Sequence, residues 1–363
     1  MNKKDQIIST VGAFMSALKV SITDPPIAFF FLKTIIRQRK AQLKRLKWIE
    51  RGIQVPPVII FSITNKCNLN CKGCYNKALR LSSKSSQEEL QEELDTGKVI
   101  DILNQARELG VSFIVVAGGE PFVRKDLLEI TENFPELIFL VFTNGLLIDD
   151  ALLEEIRRQK NVILVISIEG RLEQTDYRRG EGVFDYLDAV ISKLKKESLF
   201  FGVAITMTRQ NFESIIDNAF VAELVGKGCK LFFYIEYTPI EDETMNWTLT
   251  GEQREKIPEI MKTYRKRFKA IFAGLPAEEK IFGGCLSAGR GFVHINARGD
   301  LEPCPFAPFS DVNLREYKLR DALKSKLLEK IRKNREVLEK LESKNNGGCS
   351  LWANREWVKS ILG

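Results

Sequence analysis

The apolar positions of this chain fall into short runs separated by stretches of helical periodicity. Runs of strand type are 58–64 (VIIFSIT), 111–117 (VSFIVVA), 137–143 (LIFLVFT), 162–168 (VILVISI), 200–207 (FFGVAITM) and 230–237 (KLFFYIEY). Between them, residues 98–109, 149–158, 186–195 and 211–226 space their apolar side chains as a helix does. Strands alternating with helices predict a parallel sheet, because each parallel crossover needs a helix. The runs are apolar almost throughout, so the sheet is expected to be covered on one face and curled or closed on the other. The fold class is α/β, a partial (β/α)6 barrel followed by a small C-terminal hairpin-plus-helix unit.

The rhythm changes after about residue 245. A charged helix is expected over 252–273. A hairpin follows with Gly299-Asp300 near its turn, then a Lys/Glu-rich helix over roughly 317–343. Ahead of the first strand, residues 1–55 read as two helices broken at Pro25-Pro26. The expected division is 1–55 as a helical extension, 56–245 as the core, and 246–363 as a linker helix with a terminal module.

Apolar residues make up 44% of the chain, enough for a substantial core. The net charge of +7 suits an anionic substrate, an acidic partner or a lipid surface. No basic run with interleaved aromatics marks a nucleic-acid footprint, so no nucleic-acid partner is expected. Seven cysteines, odd in number and unevenly spaced, argue against a secreted disulfide framework. They fit metal ligation in a reducing compartment, the cytoplasm. The single histidine, His294, excludes a His-rich zinc site and leaves little room for Cys-His or Ser-His catalysis.

Three of the cysteines stand in NKCNLNCKGCYN: Cys67, Cys71 and Cys74, spaced C-x3-C-x2-C just after the first strand. Structural zinc wants a fourth close ligand, and none follows locally. A C-x-x-C redox pair would leave Cys67 unexplained. Thiolates also hold iron–sulfur clusters, commonly four to a cluster, so three leave one iron open.

This loop, with Tyr75 beside its last cysteine, resembles the signature of radical S-adenosylmethionine (SAM) enzymes. The resemblance covers about residues 56–240 and implies a TIM-type partial barrel. It implies a [4Fe-4S] cluster whose open iron is chelated by SAM. One electron then cleaves SAM to a 5′-deoxyadenosyl radical that abstracts hydrogen from a substrate. AGGEP (117–121) implies Gly118, Gly119 and Glu120 at the SAM amino group; glycine permits close approach there. TNG (143–145) brings in Asn144, and SIEG (167–170) brings in Ser167 and Glu169 near the ribose, with Glu where the family often has Asp. YRRGEGVF (177–184) offers Arg178 or Arg179 to the SAM carboxylate, Arg179 being the choice. These motifs end strands, where parallel α/β folds bind ligands.

The later cysteines, Cys285, Cys304 and Cys349, resemble the ligands of a twitch or SPASM-like auxiliary cluster domain. The full SPASM pattern needs a denser cysteine run, so one auxiliary iron–sulfur cluster is implied. Its fourth ligand is open: Cys229, an oxygen or nitrogen group, or none. Glu236 is taken as the polar active-site group, with a rim salt bridge as the plainer alternative. The expected function is oxidative modification of a peptide, cofactor precursor or lipid, supported by a flavodoxin- or ferredoxin-type electron donor. A non-catalytic electron-transfer or cluster-scaffold protein is the alternative.

Residues 25–51 pair a bulky apolar run with basic residues from Lys33 to Arg51. They are read either as contact with a membrane surface, making the protein peripheral, or as a helix packed across the barrel's bottom.

Overall fold

The computed structural model describes residues 25–82, 93–334 and 349–362. Strands β1 (Val58–Thr64), β2 (Phe113–Gly118), β3 (Ile138–Thr143), β4 (Val162–Ile168), β5 (Gly202–Met207) and β6 (Leu231–Glu236) follow the expected runs. Three more follow: β7 (Ile271–Leu275), β8 (Phe292–Ile295) and β9 (Leu301–Glu302). All nine form one sheet in the order β7-β6-β5-β4-β3-β2-β1-β8-β9. Every pairing is parallel except β8 with β9. The sheet ends at β7 and β9, so the barrel is partial.

Along the chain the helices are α1 (Pro25–Glu50), α2 (Tyr75–Ser82), α3 (Thr96–Leu109), α4 (Leu127–Glu132), α5 (Asp150–Gln159), α6 (Leu172–Arg179) and α7 (Val183–Lys196). Then come α8 (Phe212–Ile215), α9 (Asn218–Gly226), α10 (Gly251–Arg267), α11 (Leu319–Ala322), α12 (Lys326–Lys333), α13 (Ser350–Ala353) and α14 (Arg355–Ser360). Local chemistry sets their ends. Asp95 caps α3 by accepting from Lys98 N, and Gly110 closes that helix at φ 94°. Thr250 and Gln253 form a capping box on α10.

Two expected helices are shorter than their patterns. The charged helix stops at Arg267, and residues 271–275 turn into β7 beside β6. Its apolar IFAGL run alternates, and one face packs on the helix layer. The 211–226 stretch breaks into α8 and α9, where Asp217 caps the second. The Lys/Glu-rich region forms α11 and α12, and its expected continuation to 343 lies outside the described residues.

Alternate residues of the strands build two apolar clusters. Phe61, Ile114, Phe139, Leu164, Ile205 and Phe232 pack outward against the helices. Ile138, Ile163 and Leu231 pack with Phe113, Leu140 and Phe233 on the inner face. Each fully buried large apolar side chain contributes about 1.5–3 kcal/mol. The edge strand β7 is closed by side chains: Arg265 donates to Phe272 O, and Glu278 accepts from Gly274 N at 2.8 Å. That leaves fewer free groups for another strand to pair with.

Helix α1 lies against α3 near the amino end of β2. Lys44 Nζ donates to Arg107 O, and Arg45 donates to Gly110 O and Ser112 Oγ. Burial lowers the Arg45 pKa to about 10. A side chain on Gly110 would meet Ala41 O at 2.5 Å, so glycine is required for this contact. The first of the two expected N-terminal helices falls outside the described residues.

Candidate active site

Strand β1 delivers the cysteine loop to the carboxyl end of the sheet, and α2 begins directly after Cys74. The loop rests on the glycine edge of β2. Gly119 N donates to Thr64 O at 2.7 Å, and Glu120 N donates to Lys66 O at 2.8 Å. A side chain on Gly118 would lie 2.3 Å from Thr64 O, and one on Gly119 would lie 2.0 Å from Lys66 O. Both glycines therefore let the loop sit down on the neighbouring strand. Gly73, at φ +61°, makes room in the same way for Tyr237 and Trp247.

Cys67 is exposed, while Cys71 and Cys74 are half-buried. Asn144 reaches the loop from the end of β3: its amide donates to Asn68 Oδ1 at 2.7 Å and to the Cys67 sulfur at 3.9 Å. Burial pushes the Cys67 thiol up. It also pushes up Cys71, against the pull of Arg179 and Arg178. A cationic metal centre would offset that burial at Cys67 and Cys71.

Glu120 is 1% exposed. Its oxygens accept from Thr143 Oγ1 (2.7 Å), Asn144 N (2.7 Å) and Phe122 N (3.1 Å). Burial raises its pKa despite those bonds. In this conformation it bolts the end of β2 to the end of β3.

Ser167 is half-buried on β4, in register with Ala204, two residues before Glu169. Glu169 joins both candidate arginines. Its Oε1 accepts from Arg178 at 2.6 Å and from Arg179 Nε at 2.9 Å. Arg178 also donates to Lys72 O and Thr206 Oγ1, while Lys72 N donates to Arg178 O. Burial opposes the Arg179 charge, but Glu169 and then Cys71 outweigh it, and its pKa is raised. Glu169 Oε2 is buried and accepts no hydrogen bond. An orphaned carboxylate oxygen beside the cysteine loop suits a ligand that brings donors, as a ribose or an ammonium does.

Glu236 is not in the barrel interior. It shares the outward face of β6 with Tyr234, whose hydroxyl donates to Ile215 O. Its Oε1 accepts from Arg254 on α10. The interior residue at this strand end is Tyr237, which packs on Trp247 with ring centroids 5.4 Å apart. Period-2 alternation separates the two faces but does not say which is inside. The aromatic rim continues to Tyr177, whose ring carries Lys72 Nζ at 3.9 Å.

The three later cysteines lie near enough to influence one another. Cys304 donates to the Cys349 sulfur, which raises Cys304 well above the usual thiol range, with burial adding to it. The same bond lowers Cys349. Burial raises Cys285, followed by the charges of Glu279 and Cys349. Cys229 is elsewhere: it precedes β6 at the amino end of the sheet, inside the core, and burial pushes its thiol up to about 12. Glu279, which the sequence reading did not single out, is the buried carboxylate beside Cys285. Among the described residues no three His, Cys, Asp or Glu side chains are grouped to hold a metal ion.

His294 faces Ser62 and Glu302. Its Nε2 lies 2.8 Å from Ser62 Oγ and its Nδ1 lies 2.6 Å from Glu302 Oε2. Asn296 donates to the other Glu302 oxygen at 2.8 Å. This buried chain ties the hairpin bearing Cys304 to the strand bearing the first cysteine loop. Tyr75 stands between those two segments, with its ring against Phe306.

Residues 61–220 match the model of the radical SAM superfamily. An AdoMet-dependent heme synthase of Methanosarcina barkeri is 26% identical over 326 residues, spanning 82% of this chain and 88% of that protein. Mycofactocin maturase MftC of Mycolicibacterium smegmatis is 26% identical over 268 residues, 71% of this chain and 66% of its own. Streptococcus suis SuiB bound to the precursor peptide SuiA has a TM-score of 0.61 at 18% identity, over 80% of this chain and 70% of that one. The last is a likeness of fold. With its cysteine loop, strand-end motifs and partial barrel in place, the chain carries a match to the radical SAM superfamily over residues 61–220.

Proposed function

We propose that this radical SAM enzyme performs an oxidative modification and holds a second iron–sulfur centre at Cys285, Cys304 and Cys349. The observation that supports the reading is that Cys285, Cys304 and Cys349 lie near enough to influence one another beside the segment packed on Tyr75, without yet being grouped to hold a metal ion. In the first site, Cys67, Cys71 and Cys74 would hold the open cluster. Asn144, Ser167, Glu169 and Arg179 would hold SAM, with Gly118 and Gly119 giving the loop its seat. Bound there, the cluster and SAM would supply the radical chemistry that removes hydrogen from the substrate. Glu279 is the oxygen group best placed to complete the second centre.

The substrate we infer is a peptide that presents an apolar side chain. The inner strand faces that are not fully buried carry Val115, Leu140, Phe142, Phe233 and Ile235. Solved relatives of this fold include one bound to a precursor peptide. A flavodoxin- or ferredoxin-type protein would supply the electron.

Changing Cys285, Cys304 and Cys349 together to Ala should remove about four irons while SAM binding persists. Unchanged iron content would refute the second centre.

Membrane contact rests on α1. Ile35, Ile36 and Leu43 are exposed beside exposed Arg39, Lys40 and Lys47. Among the described residues no helix is long and apolar enough to cross a bilayer. Each basic residue near an anionic surface contributes about 1 kcal/mol, so the protein should sediment with anionic liposomes at low salt and release as salt rises. Protein left in the supernatant at low salt would exclude the contact.

A further inference from the structure

We infer that Ser62, His294 and Glu302 form a recognition site on the inner wall of the barrel. It takes a substrate group that donates a hydrogen bond from an apolar body, such as a phenol, an indole or an alcohol. The inference rests on the reading of an apolar substrate side chain held in the barrel, and names its polar end. Strand register puts the three side chains on one face. Val58 pairs with Phe113 of the inner cluster, so by alternation Ile60 and Ser62 face the interior. Ile60 pairs with His294, and His294 pairs with Glu302. Ser62, His294 and Glu302 are all buried. Beside them the inner wall is apolar and only half-buried, at Ile60, Val115, Ala117 and Leu140.

The carboxylate sets the direction of every hydrogen bond in the chain. Glu302 Oε1 accepts from Asn296 at 2.8 Å, and Oε2 lies 2.6 Å from His294 Nδ1. A carboxylate only accepts, so Nδ1 carries the ring hydrogen and, in a neutral imidazole, Nε2 accepts. Nε2 therefore takes the hydroxyl hydrogen of Ser62 across 2.8 Å. The Ser62 oxygen has then committed its hydrogen and keeps acceptor capacity toward the interior. Among the described residues no side chain or N–H donates to it. A tie between β1 and the hairpin needs the ring and its two partners, but not a bare acceptor on Ser62. One acceptor set in an apolar wall suits a ligand with one donor at the end of an apolar body. Ser62 would touch the ligand. His294 and Glu302 act through it, as positioning residues.

The test uses the full-length protein and two probes with the same ring and oxygen. One, p-cresol, has an O–H donor; the other, 4-methylanisole, has a methyl group in place of that hydrogen. Binding is read by ligand-observed NMR titration, beside a thermal melt of each variant. The native protein should bind p-cresol about tenfold more tightly than 4-methylanisole. Ser62→Ala should abolish that preference by weakening p-cresol alone. Glu302→Gln tests the positioning. With Asn296 still donating to the amide oxygen, the new amide nitrogen donates to Nδ1. The ring hydrogen moves to Nε2, and Ser62 turns its own hydrogen toward the interior. This variant should bind 4-methylanisole about tenfold more tightly than the native protein does. Loss of a structural tie alone would weaken both probes together and would overturn the inference. So would equal affinity of the native protein for the two probes, or unchanged p-cresol binding in folded Ser62→Ala, and either would leave the apolar-substrate reading standing. A native protein that binds neither probe would overturn that reading instead.

Discussion

Replacing Cys67, Cys71 and Cys74 together with Ala should remove about four irons and abolish 5′-deoxyadenosine formation. Asn144, the polar side chain that reaches the Cys67 sulfur, bonds to Asn68 and offers no replacement thiolate. The fold should survive the change. Cys67 is exposed, Cys71 and Cys74 are half-buried, and none belongs to the apolar core. Away from the core, such substitutions usually fall within about 0.5 kcal/mol. The measurement is iron content and deoxyadenosine yield after anaerobic reconstitution, beside a thermal melt without cluster. SAM cleavage that persists in the triple variant would sink the assignment of the first site.

That site was legible because its parts are short and carry chemistry. C-x3-C-x2-C names its own ligand spacing, and GGE, TNG and SIEG each stand where an apolar run stops. What such motifs do not convey is which partner each side chain takes. Glu120 and Glu169 read alike as carboxylates at strand ends. Yet Glu120 is spent on β3 backbone and hydroxyl donors, whereas Glu169 keeps one oxygen without a partner. Parity along β6 left Glu236 and Tyr237 on opposite faces without choosing the inner one, since both faces of a covered sheet are apolar.

The long-range parts were the least legible. The C-terminal hairpin joins β1 in parallel through Ile60 and His294, a pairing across more than half the chain. No local pattern specifies it. Strand β7 hid because its five residues directly follow a charged helix. Glu279 hid because one of two adjacent glutamates in a Glu-rich chain carries no spacing signal.

Glu169 and Glu236 offer the sharpest contrast in the molecule. Each is buried, each pairs with arginine, and each has one oxygen without a hydrogen bond. Removing one member of a buried ion pair typically costs about 3–5 kcal/mol, because the partner charge is left behind. Glu169→Gln and Glu236→Gln should therefore both lower stability by roughly that order. Their effects on the site should differ. Arg178 connects Glu169 to the Lys72 carbonyl inside the cysteine loop, and Arg179 faces Cys71. Loss of Glu169 frees both arginines and removes the carboxylate oxygen offered to a ligand. SAM affinity of the reconstituted protein should then fall by about tenfold or more, ~1.4 kcal/mol. Glu236 pairs with Arg254 on the outward side of β6, so Glu236→Gln should bind SAM as the native protein does. Calorimetric titration of both variants at a temperature where each is folded separates the two carboxylates. Equal loss of SAM affinity in the two would mean that both act only through stability, and Glu169 would then have no part in holding SAM.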